Sequence, residues 1–313
     1  MTTTAVRWAS RHALLLIFVA VVLGLAASSK TFRSVPNLVN IVEQQSIIGI
    51  VACGMLLMIL LGGFDLSVGA VGAATSVIAA WTMSSSGIGL GIVASLALGA
   101  VIGLCNGLLI AKVGINPFVA TLGMQSLITG LLYVSTNATP VYGVPDSFTF
   151  FGLGRIGPVP VAALVYLTVA VATWAMLRYT TLGHHMYAVG GSSEASRLAG
   201  IRVHRVTITA YTLGAVAAAI GGLILLGQTS IGQPSAAQSW PLSAIAAVAI
   251  AGVPLTGGSG GVGNVVVGTL LLGVVSNALN LFGVSPYWQP AFTGAVIIIA
   301  VGIDMVQRRR RST

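Results

Sequence analysis

The stretch VTITAYTLGAVAAAIGGLILLGQTSIGQPSAAQSWPLSAIAAVAIAGVPLTGGSGGVGNVVVGTLLLGVVSNALNLFGVSPYWQPAFTGAVIIIAVGI, residues Val206 to Ile303, is 98 residues long and carries no Asp, Glu, Lys or Arg. A membrane-spanning helix takes about 20 mostly apolar residues, so this interval has room for four spans and their turns. Other uncharged intervals convert the same way. Residues 13–29 give one span, 41–61 a second (with Glu43 near one end) and 66–111 two, joined at Ser84-Ser85-Ser86-Gly87. Pro117 to Val134 gives one more, and 156–177 another. The chain reads as all-α, a single polytopic membrane domain over residues 1–313 with about ten transmembrane helices.

Composition agrees. A soluble domain has roughly a quarter charged residues, whereas this chain has 6% and a mean hydropathy of +0.99. Most of its surface must face lipid, which sets aside a soluble enzyme, a secreted scaffold and a disordered chain. The net charge of +9 is not a nucleic-acid footprint, because the basic residues punctuate the ends of apolar stretches, where they set orientation. With ten spans and a cytoplasmic N-terminus, eleven basic residues (Arg7, Arg11, Lys112, Arg178, Arg197, Arg202, Arg205 and Arg308 to Arg311) fall inside and three (Lys30, Arg33, Arg155) outside. Both termini are then cytoplasmic. Residues 1–29 also have the make-up of a cleaved signal peptide ending near Ala26-Ala27-Ser28; the spans that follow favour a first membrane helix. Cys53 and Cys105 sit in apolar stretches without metal-ligand spacing and read as free buried thiols.

Two regions are polar enough to be more than turns: an outer loop at about 135–158 and a cytoplasmic segment at about 179–205. In the second, Ser192 and Ser193 precede Glu194, and Gly200 follows Leu198, the pattern of a short capped helix. The chain also resembles itself. Gly63-Phe64-Asp65-Leu66-Ser67-Val68-Gly69 is similar to Gly252-Val253-Pro254-Leu255-Thr256-Gly257-Gly258, 189 residues later, and Asn106-Gly107-Leu108 to Asn277-Ala278-Leu279. Gly114-Ile115-Asn116-Pro117-Phe118 likewise matches Gly283-Val284-Ser285-Pro286-Tyr287. We read this as an internal duplication of open relative orientation. Gly99, Gly103 and Gly107 recur every four residues on one helix face, which suits close backbone packing against another helix.

Catalytic chemistry is hard to assemble from these residues. The G-x-G-x-x-G matches at Gly152 and Gly258 have no acid about 20 residues on, so they are chance products of a glycine-rich chain. No G-x-x-x-x-G-K-[ST] loop exists, His184 and His185 have no carboxylate partners, and no metal or hydrolytic site follows. Asp65 after Gly62-Gly63 reads first as a helix cap. A proton relay has little to work with, but a passive polar pathway could use Asn106, Asn116, Thr121, Gln125, Gln228 and Asn277.

Four blocks carry a resemblance. Gly62-Gly63-Phe64-Asp65-Leu66-Ser67-Val68-Gly69 looks like the signature of permease subunits of bacterial ATP-binding-cassette sugar importers of the ribose, xylose and arabinose type. Asn106 to Ile110 through Asn116-Pro117-Phe118-Val119-Ala120-Thr121 resembles that family's next block. Ala188 to Ile201, with Gly190, Gly191, Glu194, Ala195, Arg197, Leu198 and Gly200, resembles its cytoplasmic coupling segment. Ala246 to Gly258 is similar to its late block. Val253, Pro254 and Phe64 depart from the usual pattern. The resemblance implies a type II-like importer transmembrane domain in the bacterial inner membrane, embedded in lipid and translocating a monosaccharide. It implies a separate cytoplasmic ATPase docked on the Gly190–Gly200 segment, so this chain binds no ATP or other cofactor. A periplasmic sugar-binding protein and a second permease subunit, identical or related, complete the implied assembly. An ion-coupled secondary transporter or a channel for a small neutral solute is the competing reading.

Overall fold

A computed structural model describes residues 13–285, 287–295, 297–299 and 302. Arg7, Arg11 and Arg308 to Arg311, on which the expected orientation partly rests, lie outside the described residues, as does Pro286 of the second repeat block. The elements in chain order are α1 (Ala13–Ser28), α2 (Val35–Leu60), α3 (Val68–Ser86), α4 (Ile88–Leu108, prolonged by a π-turn over Leu109–Val113) and α5 (Pro117–Thr136). Then come a short α6 (Thr149–Leu153), a hairpin of β1 (Arg155–Ile156) and β2 (Val159–Pro160), and α7 (Val161–Tyr179). The rest are α8 (Thr181–Gly191), α9 (Ser193–Leu198), α10 (Val203–Thr229), α11 (Trp240–Ile250) and α12 (Val262–Leu281). A last apolar helix, α13, covers Trp288–Ile299.

Among the described residues, seven helices are long and apolar enough to cross a membrane: α2, α3, α4 with its π-turn, α5, α7, α10 and α12. α1, α11 and α13 are apolar but shorter. The uncharged intervals therefore resolve into seven full-length helices and three short ones. Their limits follow from local chemistry. Ser34 Oγ accepts the Asn37 amide at 3.4 Å, and Pro36 fills the first turn of α2, where a missing N–H costs nothing. Gly87, at φ 89°, separates α3 from α4 in a conformation that favours glycine. Asn116 Oδ1 accepts the Phe118 amide at 2.9 Å and opens α5 at Pro117.

Two expectations need correction here. The second helix starts at Val35, before the apolar interval, because a cap and a proline set its start. Glu43 therefore lies within α2 and pairs with Arg155 of β1 at 3.4 Å. Cys105 is exposed on α4, while Cys53 is buried. Where lipid is the solvent, both faces of a helix are apolar, and hydropathy no longer separates inside from outside.

The layering is concentric. In α2, 72% of the apolar window is buried, against 22% in α5. α2 is thus a central helix, packed against α7, α10, α11 and α12, with α8 touching it as well. Large apolar side chains such as Leu23, Val101, Leu131, Val134 and Leu167 are exposed on α1, α4, α5 and α7, the outer ring. The glycine face of α4 meets α10. A Cβ on Gly99 would lie 2.7 Å from that of Ala219, and one on Gly107 2.7 Å from Cα of Ile208.

Between α10 and α11 the backbone is not helical. Residues 230–239 contain left-handed Ser230 (φ 59°) and Ala237 (φ 64°). Gly232 exchanges two hydrogen bonds with Val141, at 2.8 and 2.9 Å. Further along, a Cβ on Gly69 of α3 would strike the Ala237 carbonyl. α11 is about 16 Å long at about 1.5 Å per residue, half of a hydrocarbon core of about 30 Å. Non-helical backbone within a membrane is tolerated only where protein or a water-filled cavity lines it.

Candidate functional site

The loop over residues 61–67 joins α2 to α3 and is held from several sides. Asp65 is fully buried. Its Oδ1 accepts the Ser67 amide at 2.7 Å and the Ser67 hydroxyl at 2.5 Å. Asn106 Nδ2, from α4, donates to Asp65 Oδ2 at 3.2 Å and to Ser67 Oγ at 2.9 Å. Thr121 Oγ1, from α5, accepts the Leu66 amide at 3.1 Å and donates to the Pro117 carbonyl at 2.8 Å. Burial pushes the Asp65 carboxyl above the usual carboxylate range, and its bonds with Ser67 and Asn106 pull the other way. Asp65 therefore closes a tight turn onto Ser67 and clamps it to α4. Ser67 itself stands at the helix start without a side-chain cap bond.

The late glycine-rich block meets this loop. The Gly258 amide donates to the Leu60 carbonyl at 2.9 Å. A Cβ on Gly62 would lie 2.9 Å from the Thr256 carbonyl oxygen, and one on Gly257 2.6 Å from that of Leu60. Gly62, Gly257 and Gly258 all have positive φ. The third partner is the C-terminal turn of α8. A Cβ on Gly190 would overlap the Leu60 carbonyl oxygen and lie 2.7 Å from the Gly258 nitrogen. The Tyr187 hydroxyl donates to the Gly260 carbonyl at 2.8 Å. Three segments far apart in sequence thus share one contact at the Leu60 end of α2.

Beyond that contact the polar segment turns to solvent. Ser192 Oγ accepts the Ala195 amide at 3.2 Å and opens α9, and Gly200 (φ 83°) follows its end. Gly191, Glu194, Ala195, Arg197 and Gly200 are exposed, and Leu198 is 79% exposed.

The structure brings Gly62, Gly63, Asp65, Ser67, Gly69, Asn106, Pro117 and Thr121 together. Asn277 is elsewhere. It exchanges two hydrogen bonds, at 2.9 and 3.0 Å, with Asn37, in the first turn of α2 and so at its opposite end from Leu60. The sequence match of Asn106 with Asn277 is therefore not a structural equivalence: two helices lie between Gly69 and Asn106, but one between Gly258 and Asn277. Of the expected pathway residues, Asn106, Asn116, Thr121 and Asn277 are engaged in these intramolecular bonds. Reading the sequence missed Tyr187 and Tyr211, whose hydroxyls reach Gly260 and, at 3.4 Å, Phe64. The available signal was the phenol itself, since a buried Tyr hydroxyl usually has a partner. The described residues hold no group of three or more His, Cys, Asp or Glu fit for a metal.

The chain is similar to known proteins over most of its length. A family model described as "Branched-chain amino acid transport system / permease component" matches residues 37–301. The ribose import permease protein of Escherichia coli strain K12 is 40% identical over 295 residues, 93% of this chain and 91% of that protein. The ribose import permease protein of Bacillus subtilis strain 168 is 38% identical over 292 residues, 92% of this chain and 90% of its own. The L-arabinose transport system permease protein of E. coli K12 is 35% identical over 306 residues, 97% of this chain and 93% of its own. No solved structure matches the chain.

Proposed function

The chain belongs to this permease-component family, and on that premise we propose that it is the membrane subunit of an ATP-driven importer of a monosaccharide. The carrying observation is near full-length similarity to permeases named for ribose and L-arabinose. The absence of a nucleotide-cradling loop from the sequence fits: the work is done by a partner.

In this reading the three short apolar helices complete a ten-span bundle. α1 and α13 tilt little or sit partly in the interface, and α11 with residues 230–239 forms one broken span. The Leu60 end of α2 then faces the cytoplasm, on the same side as Lys112, Arg178, Arg197, Arg202 and Arg205, and the tendency of basic residues to stay inside supports this orientation. The protein is multi-pass in the bacterial inner membrane. The ATPase docks on α9 around exposed Leu198, and Gly190 carries its movement to Leu60 and Gly258. The binding protein docks at the opposite end, near the 135–158 loop, and a second permease subunit pairs with this one.

The test is reconstitution. Chain purified alone in lipid nanodiscs should neither bind a fluorescent ATP analogue nor hydrolyse ATP. With an importer ATPase and a sugar-binding protein, proteoliposomes should accumulate labelled ribose, arabinose or galactose only when ATP is present. Uptake by the chain alone, driven by an ion gradient, overturns the proposal in favour of a secondary transporter.

A further inference from the structure

A cavity of about 340 Å³ lies among α2, α11, α12 and α13. Its polar lining is Gln45, Ser239, Ser243, Ser276, Gln289 and Thr293, and none of its lining residues ionises. Trp240 and Phe292 add aromatic surface. Small-molecule sites run from about 300 to 1,000 Å³ and combine apolar walls with a few placed polar groups, so size and lining both fit.

Depth makes the lining unusual. Gln45 lies about 15 Å from the Val35 end of α2 and about 22 Å from the Leu60 end, at about 1.5 Å per residue. Elsewhere in these helices the hydroxyls are spent on their own backbone: Ser46 on Val42, Thr75 on Val71, Thr136 on Leu132, Thr168 on Leu164 and Thr269 on Val265, all at 2.7 to 2.9 Å. In the cavity, Thr293 bonds the Gln289 carbonyl at 3.0 Å, and Gln289 reaches Asn280 at 3.5 Å. The side chains of Gln45, Ser239, Ser243 and Ser276 bond no other group among the described residues; Ser239 starts α11 without a cap bond. Uncommitted amides and hydroxyls at bilayer depth are costly unless water or a ligand meets them.

Their convergence has a structural cause. α11 and α12 run antiparallel, with the Ala247 carbonyl against Gly268, so Ser243 and Ser239 come level with Leu272 and Ser276. A Cβ on Gly273 would strike Gln45 Cγ, so glycine there lets the amide lie across α12. The broken span exposes Ser239 at its midpoint, where a continuous helix would have buried its backbone. We infer that this cavity is a binding station for a neutral polyhydroxylated solute, held by Gln45, Ser239, Ser243 and Ser276. Amides and hydroxyls meet sugar hydroxyls in both donor and acceptor roles, and no counter-charge is needed. The inference deepens the importer reading and rests on it for the solute class.

The test uses full-length chain in nanodiscs with Cys53 and Cys105 replaced by Ala and a single Ser276→Cys. A small water-soluble methanethiosulfonate reagent should label Cys at this position at least ten times faster than at a lipid-facing control, Val101→Cys. D-ribose, L-arabinose or D-galactose should slow the labelling at least threefold. Slow labelling, or fast labelling that none of the three sugars alters, overturns the inference. In the assembled transporter, Gln45→Leu with Ser243→Ala should lower sugar uptake at least tenfold without changing thermal unfolding or ATPase association; unchanged uptake overturns it. An assembled wild type that moves no sugar defeats the importer reading alone, and labelling of Ser276→Cys and its slowing by sugar then decide the cavity by themselves.

Discussion

Gly190 lies against the carbonyl oxygen of Leu60 so closely that no side chain fits between them, and that oxygen also accepts the Gly258 amide at 2.9 Å. The C-terminal turn of α8 thus rests directly on the end of the central helix. A methyl group here would push backbone against backbone, which cannot give way as a flexible side chain can. Gly190→Ala should lower stability by about 1–3 kcal/mol, the range for overpacked sites. Gly191→Ala meets nothing within 4 Å and should melt like the parent. Thermal unfolding in detergent compares them, and equal melting temperatures would refute the contact.

Asp65 should give stability a pH dependence of stated sign. Burial raises its carboxyl pKa on folding, so the native state holds the proton more tightly than the unfolded chain, whose Asp titrates near 3.9. This contribution is complete below the unfolded value and is lost as pH rises through the higher native one. Melting temperature should therefore decline over that window, and Asp65→Asn should flatten the decline. Asp65→Ala should cost about 1–3 kcal/mol at low pH, and less as pH rises through the native value, because the Ser67 amide, the Ser67 hydroxyl and Asn106 all lose an acceptor. A slope unaltered by Asp65→Asn would sink the assignment.

The long helices and the Ser192-capped α9 were legible because charge-free length, cap residues and stop glycines are local signals. The half-length of α11 was not. Residues 231–250 carry no charge, and only Pro234, Pro241 and the Val141–Gly232 bridge point to the turns that replace helix in its first half. The Asn106 and Asn277 blocks look alike by spacing, yet an extra helix in the first half carries them to opposite ends. The contact of Gly190 with Leu60 and Gly258 was invisible for another reason: glycines advertise closeness without naming a partner. The same holds for Gly99, Gly103 and Gly107, whose partner α10 only the structure supplies.

That helix pair offers a test in which two opposing effects are separated by sign. Ala is favoured over Gly inside a helix by about 1 kcal/mol. At Gly123 of α5, where a Cβ meets nothing within 4 Å, Gly→Ala should be neutral or slightly stabilising. At Gly103 a Cβ would lie 2.6 Å from the Tyr211 carbonyl oxygen and 2.7 Å from Thr212 Cα. Helix separation would have to grow there, and Gly103→Ala should destabilise by about 1–3 kcal/mol despite its better propensity. Equal shifts for the two variants would mean that α4 and α10 are not backbone-packed.

Leu198 carries the last prediction, on the proposed ATPase contact. It is 79% exposed at the end of α9, where water gains nothing from it and a docked apolar pocket would. Burying one Leu fully is worth about 1.5–3 kcal/mol, so Leu198→Asp should weaken association with the ATPase at least tenfold in a detergent pull-down. Nothing in the fold depends on this side chain, and thermal unfolding of the isolated chain should not change. Leu198→Met, of similar volume and still apolar, should restore association. Pull-down of Leu198→Asp at parental levels would place the docking face elsewhere than α9, whereas loss of binding with an intact melt would locate it there.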